Sequence, residues 1–526
     1  MFYSFLKKNK FIILMISVLS LAVFFRFWQI RSLPGGLFPD EAANGIDAID
    51  ILHGKIVPFF ERGNGREGLF FYLEAFSIWL FGVGVRQLHI VSATIGILEV
   101  VALYLLSRRM FNKNIAILSS FFLATSYWHI VLSRTGFRVI LVPLFTTLSL
   151  YFLVRVFQSD NVREEKCSAM MAGIFFGAGF YSYISYRMLP FVLLALLIIY
   201  LWSRFMRKEK IKILLSQYIR SSIIFTISTV IVVAPLGYYF YSHPGSLHGR
   251  TDQVSVFSQE LNNGDLVGTV IDVAQKTALS FFTSGDLNWR HNVSGQPFLP
   301  ILLSPFFLIG LLYASWRSIG CIFLKRSGLV YVALLLWFFA MLAPELATAE
   351  GIPHGLRLAG VLPVVFIFPA LIIERFFNWL KENKFISQLT ATIIAIIFVF
   401  GVFSESYFLY FNFYANSPDA YYAYRSDLTS ASYYLNERND KENTFLSLDA
   451  FSVQTVEFLT FDYEQPYQLV LPERSFETVL KPYQQIIFTQ STLFDITKFV
   501  EYHPDAKLVK KEYNKFGEPI MAVYQE

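Results

Sequence analysis

Charge is scarce in this chain. Only 16% of its 526 residues are Asp, Glu, Lys or Arg, against roughly 25% in ordinary soluble domains, while 55% are hydrophobic and 18% aromatic. That balance excludes a single soluble core and reads as an α-helical polytopic membrane protein. Cysteine is scarcer still. Cys167 and Cys321 are the two present, both near the ends of apolar runs expected on the cytoplasmic side, which excludes a disulfide framework or a zinc site built on thiolates. The net charge of +5 is spread along the chain without a basic tract, so no nucleic-acid partner is expected. There is no internal repeat, and charged residues are not found midway through several spans, the usual traces of a translocation path. Nor does a small-residue cleavage site follow the first apolar run, residues 11–30, which is preceded by Lys7, Lys8 and Lys10. That run is read as a signal anchor left in place.

Further apolar runs fall at 86–107, 114–132, 138–157, 168–186, 188–206, 221–241, 298–316, 328–344, 358–377 and 388–411, giving about eleven spans of membrane-crossing length. Short cytoplasmic loops concentrate Lys and Arg. With the N-terminus inside, alternate loops hold Arg108, Arg109 and Lys113; Arg155, Arg163 and Lys166; Arg204, Arg207, Lys208, Lys210 and Lys212; Arg317, Lys325 and Arg326; and Arg375, Lys381 and Lys384. The same orientation places 31–85, 242–297, 345–357 and the tail outside, an N-in, C-out topology in the plasma membrane. Residues 1–411 form the transmembrane part. Residues 412–526, richer in charge and turns, with β-prone runs at Thr444–Leu448, Tyr467–Leu471 and Gln485–Phe488 and a helical stretch at Ser430–Glu437, form an extracytoplasmic α/β domain.

The outer loop 31–85 opens with Pro34-Gly35-Gly36-Leu37-Phe38-Pro39-Asp40-Glu41. Carboxylates placed where a membrane helix has just emerged are costly unless water, a ligand or a partner receives them. After them Ala42, Ala43, Ile46, Ile49 and Leu52 recur at helical spacing, with Asn44, Asp47 and Asp50 opposite and Gly54 at the end, which predicts a helix lying flat on the membrane surface. A second, aromatic-rich segment, Gly68–Phe81, is expected at the interface. Read as a twelfth span it would move every later basic loop to the other side.

The order of a basic N-terminus, one span, an outer loop beginning Pro-Asp-Glu and two surface helices resembles the GT-C class of membrane glycosyltransferases. The nearest likeness is to bacterial relatives of protein O-mannosyltransferases and of the lipid A aminoarabinose transferase. It covers about the first 410 residues. The matching stretches are Phe38-Pro39-Asp40-Glu41-Ala42, Asn64-Gly65-Arg66-Glu67-Gly68, Ser133-Arg134-Thr135-Gly136-Phe137-Arg138, Gly285-Asp286-Leu287-Asn288-Trp289-Arg290-His291-Asn292 and Pro353-His354-Gly355-Leu356-Arg357. The resemblance implies a GT-C fold and inverting transfer of a sugar from a polyprenyl-phosphate carrier to a hydroxyl acceptor on a protein, lipid or cell-envelope glycan, outside the membrane.

An acceptor hydroxyl gains from a group placed to take its proton, and Asp40 matches the position of the family's proposed base. The alternative is that Asp40 only caps the following helix. Glu41 either orients acceptor or sugar or occupies the first turn, where acids are favoured. The departing phosphate needs cations, and guanidinium groups suit it. Arg134 and Arg138 are expected on one helical face, as are His354 and Arg357; Arg66, Glu67, Arg290 and His291 complete the donor-binding set. Tyr181, Tyr183 and Tyr186 are candidates to line the site, with packing as the plainer role. Asp286 with Asp40 or Glu67 lacks evident ligand spacing, so no metal or other cofactor is expected. Asn292-Val293-Ser294 is a glycosylation sequon without expected consequence. A polysaccharide polymerase or ligase, and a lipid-linked sugar transporter or flippase, remain the alternative functions.

Overall fold

The computed structural model describes residues 2–207, 211–247, 255–323, 328–383, 387–438, 443–461 and 467–526. Helices stand at each expected span, since a chain in hydrocarbon must satisfy its backbone polar groups internally. In chain order the first ten are α1 (Phe2–Phe27), α2 (Pro39–Leu52), α3 (Leu69–Phe81), α4 (Val85–Met110), α5 (Lys113–Thr125), α6 (Tyr127–Leu132), α7 (Leu141–Gln158), α8 (Val162–Gly179), α9 (Leu189–Met206) and α10 (Ile211–Ser242). They are followed by α11 (Gln259–Asn262), α12 (Leu266–Leu279), α13 (Ser304–Phe323), α14 (Leu329–Leu346), α15 (Leu362–Glu382) and α16 (Gln388–Tyr407). Among the described residues, eight helical segments are long and apolar enough to cross a membrane.

The run 114–132 is not one continuous helix. It breaks at Ser126, whose hydroxyl accepts from the His129 amide at 3.3 Å and so starts α6 afresh. The thirteen residues of α5 cover only about 20 Å at 1.5 Å per residue, and the helix is enclosed by α1, α4 and α15. At the rim of the bundle α8 and α10 pack closely because Gly173 and Gly177 face the partner: a Cβ on Gly173 would lie 2.4 Å from the Phe225 carbonyl oxygen. Of the basic residues used to assign sidedness, Lys208, Lys210, Lys325, Arg326 and Lys384 lie outside the described residues.

After α16 the chain passes through α17 (Pro418–Ala423) and α18 (Ser426–Asn436) into an α/β unit. Its strands are β3 (Thr444–Ser447), β4 (Gln468–Val470), β5 (Gln485–Thr489), β6 (Lys507–Tyr513) and β7 (Pro519–Gln525), with α19 (Val453–Leu459) and α20 (Ile496–Tyr502) between them. A short hairpin earlier in the chain supplies β1 (Phe59–Phe60) and β2 (Arg66–Glu67). The sheet order is β4-β3-β5-β7-β6, β3 running parallel to β4 and β5 while β7 is antiparallel to β5 and β6.

This unit corrects the expectation for α2. The helix is not laid flat on the membrane with a wet polar face: Asn44 and Asp47 are buried, and α2 is sandwiched between α3 and α19. Phe458 fills the space beside Gly45, where a Cβ would sit 2.4 Å from its ring. The loop before α2 is bound too, Leu37 donating its amide to Thr429 Oγ1 at 3.2 Å and accepting from Thr455 Oγ1 at 3.1 Å. Gly45→Val is therefore expected to cost about 1–3 kcal/mol through overpacking and to loosen the C-terminal unit. Faster limited proteolysis between α17 and α18 would show it, and an unchanged digest would mean that Phe458 swings aside.

Candidate active site

Proline at the first helical position fixes the entry into α2: Phe38 is the N-cap, with extended backbone and no side-chain cap, and Pro39 begins the helix. Asp40 is thus inside the first turn and not its cap. Successive helical residues point about 100° apart, so the two carboxylates part. Asp40 is exposed, whereas Glu41 is fully buried.

Glu41 is a brace. One oxygen, Oε2, accepts from the Gly136 amide at 2.5 Å and from His89 Nε2 at 2.9 Å, while Asn44 Nδ2 donates to the Gly136 carbonyl at 2.7 Å. A side chain at position 136 would press on this carboxylate, its Cβ lying 3.1 Å from Oε2. The start of α2 is thereby stapled to the turn between α6 and α7.

That turn, Ser133 to Arg138, is the hub of the site, but its two arginines point apart. Arg134 is fully buried, donating to the carbonyls of Phe25 at 2.9 Å and Leu33 at 2.7 Å, with the Tyr410 ring 5.3 Å away. It ties α1 to the loop and offers no face to a phosphate, a correction to its expected role. The shared helical face does not exist because residues 133–137 form a turn and not helix. Arg138 instead stands over the Tyr183 ring at 5.2 Å, with its Nε 3.3 Å from Glu67. Arg187, which the sequence reading left out of the donor set, lies 3.5 Å from the other Glu67 oxygen. Glu67 therefore holds two arginines and cannot itself receive an anion. Of the tyrosines, Tyr183 alone joins this cluster: Tyr181 bonds the α10 backbone and Tyr186 is buried against Ser149.

Arg66 is also spent on the protein. Its guanidinium bonds Asn44 and Asp47 and donates Nε to the Arg62 carbonyl at 3.1 Å, with the Phe71 ring 5.0 Å away. Burial lowers its pKa to about 10, opposed by Asp47, while burial raises that of Asp47 against the pull of Arg66 and Arg62.

The loop after α12 closes the other side. Arg290 lies flat on Phe38, 3.4 Å from the ring centre, and its Nε donates to Asn288 Oδ1 at 3.2 Å. Burial lowers its pKa, and Asp40 is the foremost of the groups that oppose the shift, so the Asp40 carboxylate and this guanidinium act on one another. Phe38 in turn meets Phe451 of the C-terminal unit, ring centres 5.6 Å apart. His291 Nδ1 is 2.9 Å from Asp286 Oδ2, which also accepts from the Gly355 amide at 2.7 Å, and the His291 and His354 rings are 4.4 Å apart. Burial holds His291 below the usual histidine range against the counter-pull of Asp286. Asp286, His291 and His354 present donor atoms within 4.8 Å of one another, a set that has the chemistry to hold a cation. Arg357 is turned to the Glu350 carbonyl at 2.6 Å and lies 3.9 Å from Glu345, so it does not share a phosphate-facing helical face with His354. Asn292 is buried and donates to the Gln296 carbonyl at 2.7 Å, which leaves the sequon inaccessible.

Beneath the site α4 carries a second buried device, built on an acid midway along that span. Glu99 Oε2 meets His129 Nε2 at 2.9 Å, and His129 Nδ1 meets Arg26 Nη2 at 2.6 Å, all three fully buried. Glu99 is a lone acid in the second apolar run, a visible signal; its partners are distant in sequence and were not.

Comparison with known proteins bears on the fold. The family of dolichyl-phosphate-mannose-protein mannosyltransferases matches residues 69–241, and no curated protein matches the chain. Among solved structures, the oligosaccharyltransferase of Archaeoglobus fulgidus with a tethered acceptor peptide superposes over 99% of this chain and 74% of its own, with a TM-score of 0.57 and 14% identity. ArnT of Cupriavidus metallidurans bound to undecaprenyl phosphate covers 98% of both chains, with a TM-score of 0.56 and 11% identity.

Proposed function

We propose that this chain, which has the GT-C fold of membrane glycosyltransferases, transfers a hexosyl or pentosyl unit from a polyprenyl-phosphate carrier to an acceptor hydroxyl, with inversion, on the outer face of the plasma membrane. The observation that carries the reading is the split pair at the start of α2: Asp40 free to solvent, Glu41 locked beneath it by His89 and Gly136. Asp40 takes the acceptor proton as the new bond forms at the anomeric carbon and the bond to the carrier phosphate breaks. Arg290, over Phe38, and the Arg138–Arg187 pair held by Glu67 supply positive charge for the departing phosphate. Arg66, Arg134 and Arg357 hold the framework around them. The bound states named for these structural neighbours, undecaprenyl phosphate in ArnT and an acceptor peptide in the oligosaccharyltransferase, support a lipid-linked donor and a separate acceptor here; an exposed carboxylate at position 40 suits an acceptor hydroxyl.

The test is incubation of membranes containing the intact protein with radiolabelled polyprenyl-phosphate sugars. Label appearing in a new glycosidic product supports the reading. Donor carried across sealed vesicles without a new bond makes the protein a transporter instead. Because no step is routed through a metal, and Asp286 Oδ2 already accepts two hydrogen bonds, chelation by EDTA is expected to leave the transfer rate unchanged. A loss restored by one divalent cation would assign Asp286, His291 and His354 to that ion.

A further inference from the structure

The helix α12 has three faces. Val273 and Thr277 are buried against the bundle, where the helix rests on α14. Asp272, Gln275 and Lys276 are exposed, Asp272 and Lys276 pairing at 2.7 Å across one turn. Between these faces runs an apolar arc without a neighbour among the described residues: Val267, Ile271, Ala274 and Ala278, spaced four, three and four, with Val267 70% and Ile271 60% exposed. On a helix of 3.6 residues per turn these four positions fall within about 60° of one another, Asp272 and Lys276 lie on the opposite half, and Gln275 lies at the margin beside Ile271. A surface helix bathed in water would gain nothing from that third face.

Its neighbour says what covers it. α14 is a membrane-crossing helix whose own outward side chains, Phe339 among them, are exposed in the same way, so the free arc of α12 borders the lipid that α14 already meets. An apolar arc flanked by a charged face is the pattern of a helix lying in the plane of a membrane interface. We propose that α12 is embedded in the bilayer surface, with Val267, Ile271, Ala274 and Ala278 among the acyl chains and Asp272, Gln275 and Lys276 in the aqueous headgroup region. Its last turn leads through Ser280 into the loop that carries Asp286, Arg290 and His291, so the lipid leaflet itself becomes an anchor for that wall of the site. The inference depends on the membrane-spanning fold and not on the sugar-transfer reading.

The test uses the full chain in liposomes of phosphatidylethanolamine and phosphatidylglycerol. Cys167→Ser and Cys321→Ala remove the native thiols, and single cysteines are introduced as Val267→Cys, Ile271→Cys or Lys276→Cys and spin-labelled, with monodisperse elution confirming the fold of each. Relaxation by oxygen, which partitions into lipid, and by a water-soluble nickel chelate is then compared. Labels at 267 and 271 are expected to favour oxygen several-fold, and the label at 276 to favour nickel. Equal nickel access at 271 and 276 would place the helix in water and overturn the proposal. Access by neither reagent at 267 and 271 would show the arc covered by protein and overturn it as well.

Discussion

Asp40→Asn is expected to lower the rate of sugar transfer by about 10²- to 10⁴-fold, the usual contribution of a general base, with donor binding retained. Asn has the same shape, and the position is exposed, so folding stability should move by no more than about 0.5 kcal/mol. The discriminating comparison is Glu41→Ala. Removing that carboxylate leaves His89 Nε2 and the Gly136 amide without their acceptor and frees the first turn of α2 to shift. A displacement of about 1 Å can cost about 10²-fold in rate, but here thermal stability falls with activity. Measured side by side in detergent, loss of turnover alone at position 40 and loss of both at 41 is the pattern the geometry requires. If Asp40→Asn transfers sugar at the wild-type rate, the base lies elsewhere.

The second large effect is structural. Arg26 is always cationic, so its Nη2 donates to His129 Nδ1, which must then be the unprotonated ring nitrogen, and Nε2–H donates to Glu99. A neutral imidazole bridges a buried cation and a buried anion. Glu99→Ala removes the only anion of the trio and is expected to cost about 3–5 kcal/mol, because an uncompensated buried charge is far worse than a paired one. The triple replacement Arg26→Leu, His129→Phe, Glu99→Leu should recover much of that loss if the packing accepts it. Denaturant unfolding in detergent gives both numbers. A single substitution without effect would mean that water or lipid headgroups reach the trio.

The close approach of α4 to this trio depends on Gly96, where a Cβ would lie 2.5 Å from Ser133 Cβ and 2.9 Å from Arg26 Nε. A lone glycine in an apolar run gives no sequence sign of this, since its role is set by what crosses it. The arginines teach the same lesson. Arg134, Arg138, Arg290 and Arg357 stand alike in the sequence as cations beside apolar runs, yet Arg134 and Arg357 are turned to carbonyls, Arg138 is held by Glu67, and Arg290 stands over Phe38 beside the exposed carboxylate. Charge and position select candidates; the carbonyls that spend Arg134 come from segments 100 or more residues away, as does the Glu67 that meets Arg187, while Arg357 is turned to a carbonyl only seven residues back.

Composition, hydrophobic periodicity and turn residues determined the helical membrane class, the positions of most apolar helices and the α/β character of the tail, and the resemblance carried by Phe38-Pro39-Asp40-Glu41-Ala42 singled out Asp40, because each is read over one helix or one turn. The sandwiching of α2 under the C-terminal unit, the inward turn of Glu41, the Glu67 anchor for Arg138 and Arg187, and the buried Arg26–His129–Glu99 bridge were decided by tertiary structure. Each is a contact between groups whose burial is tolerable only once the partner is in place, and a sequence does not record that distance.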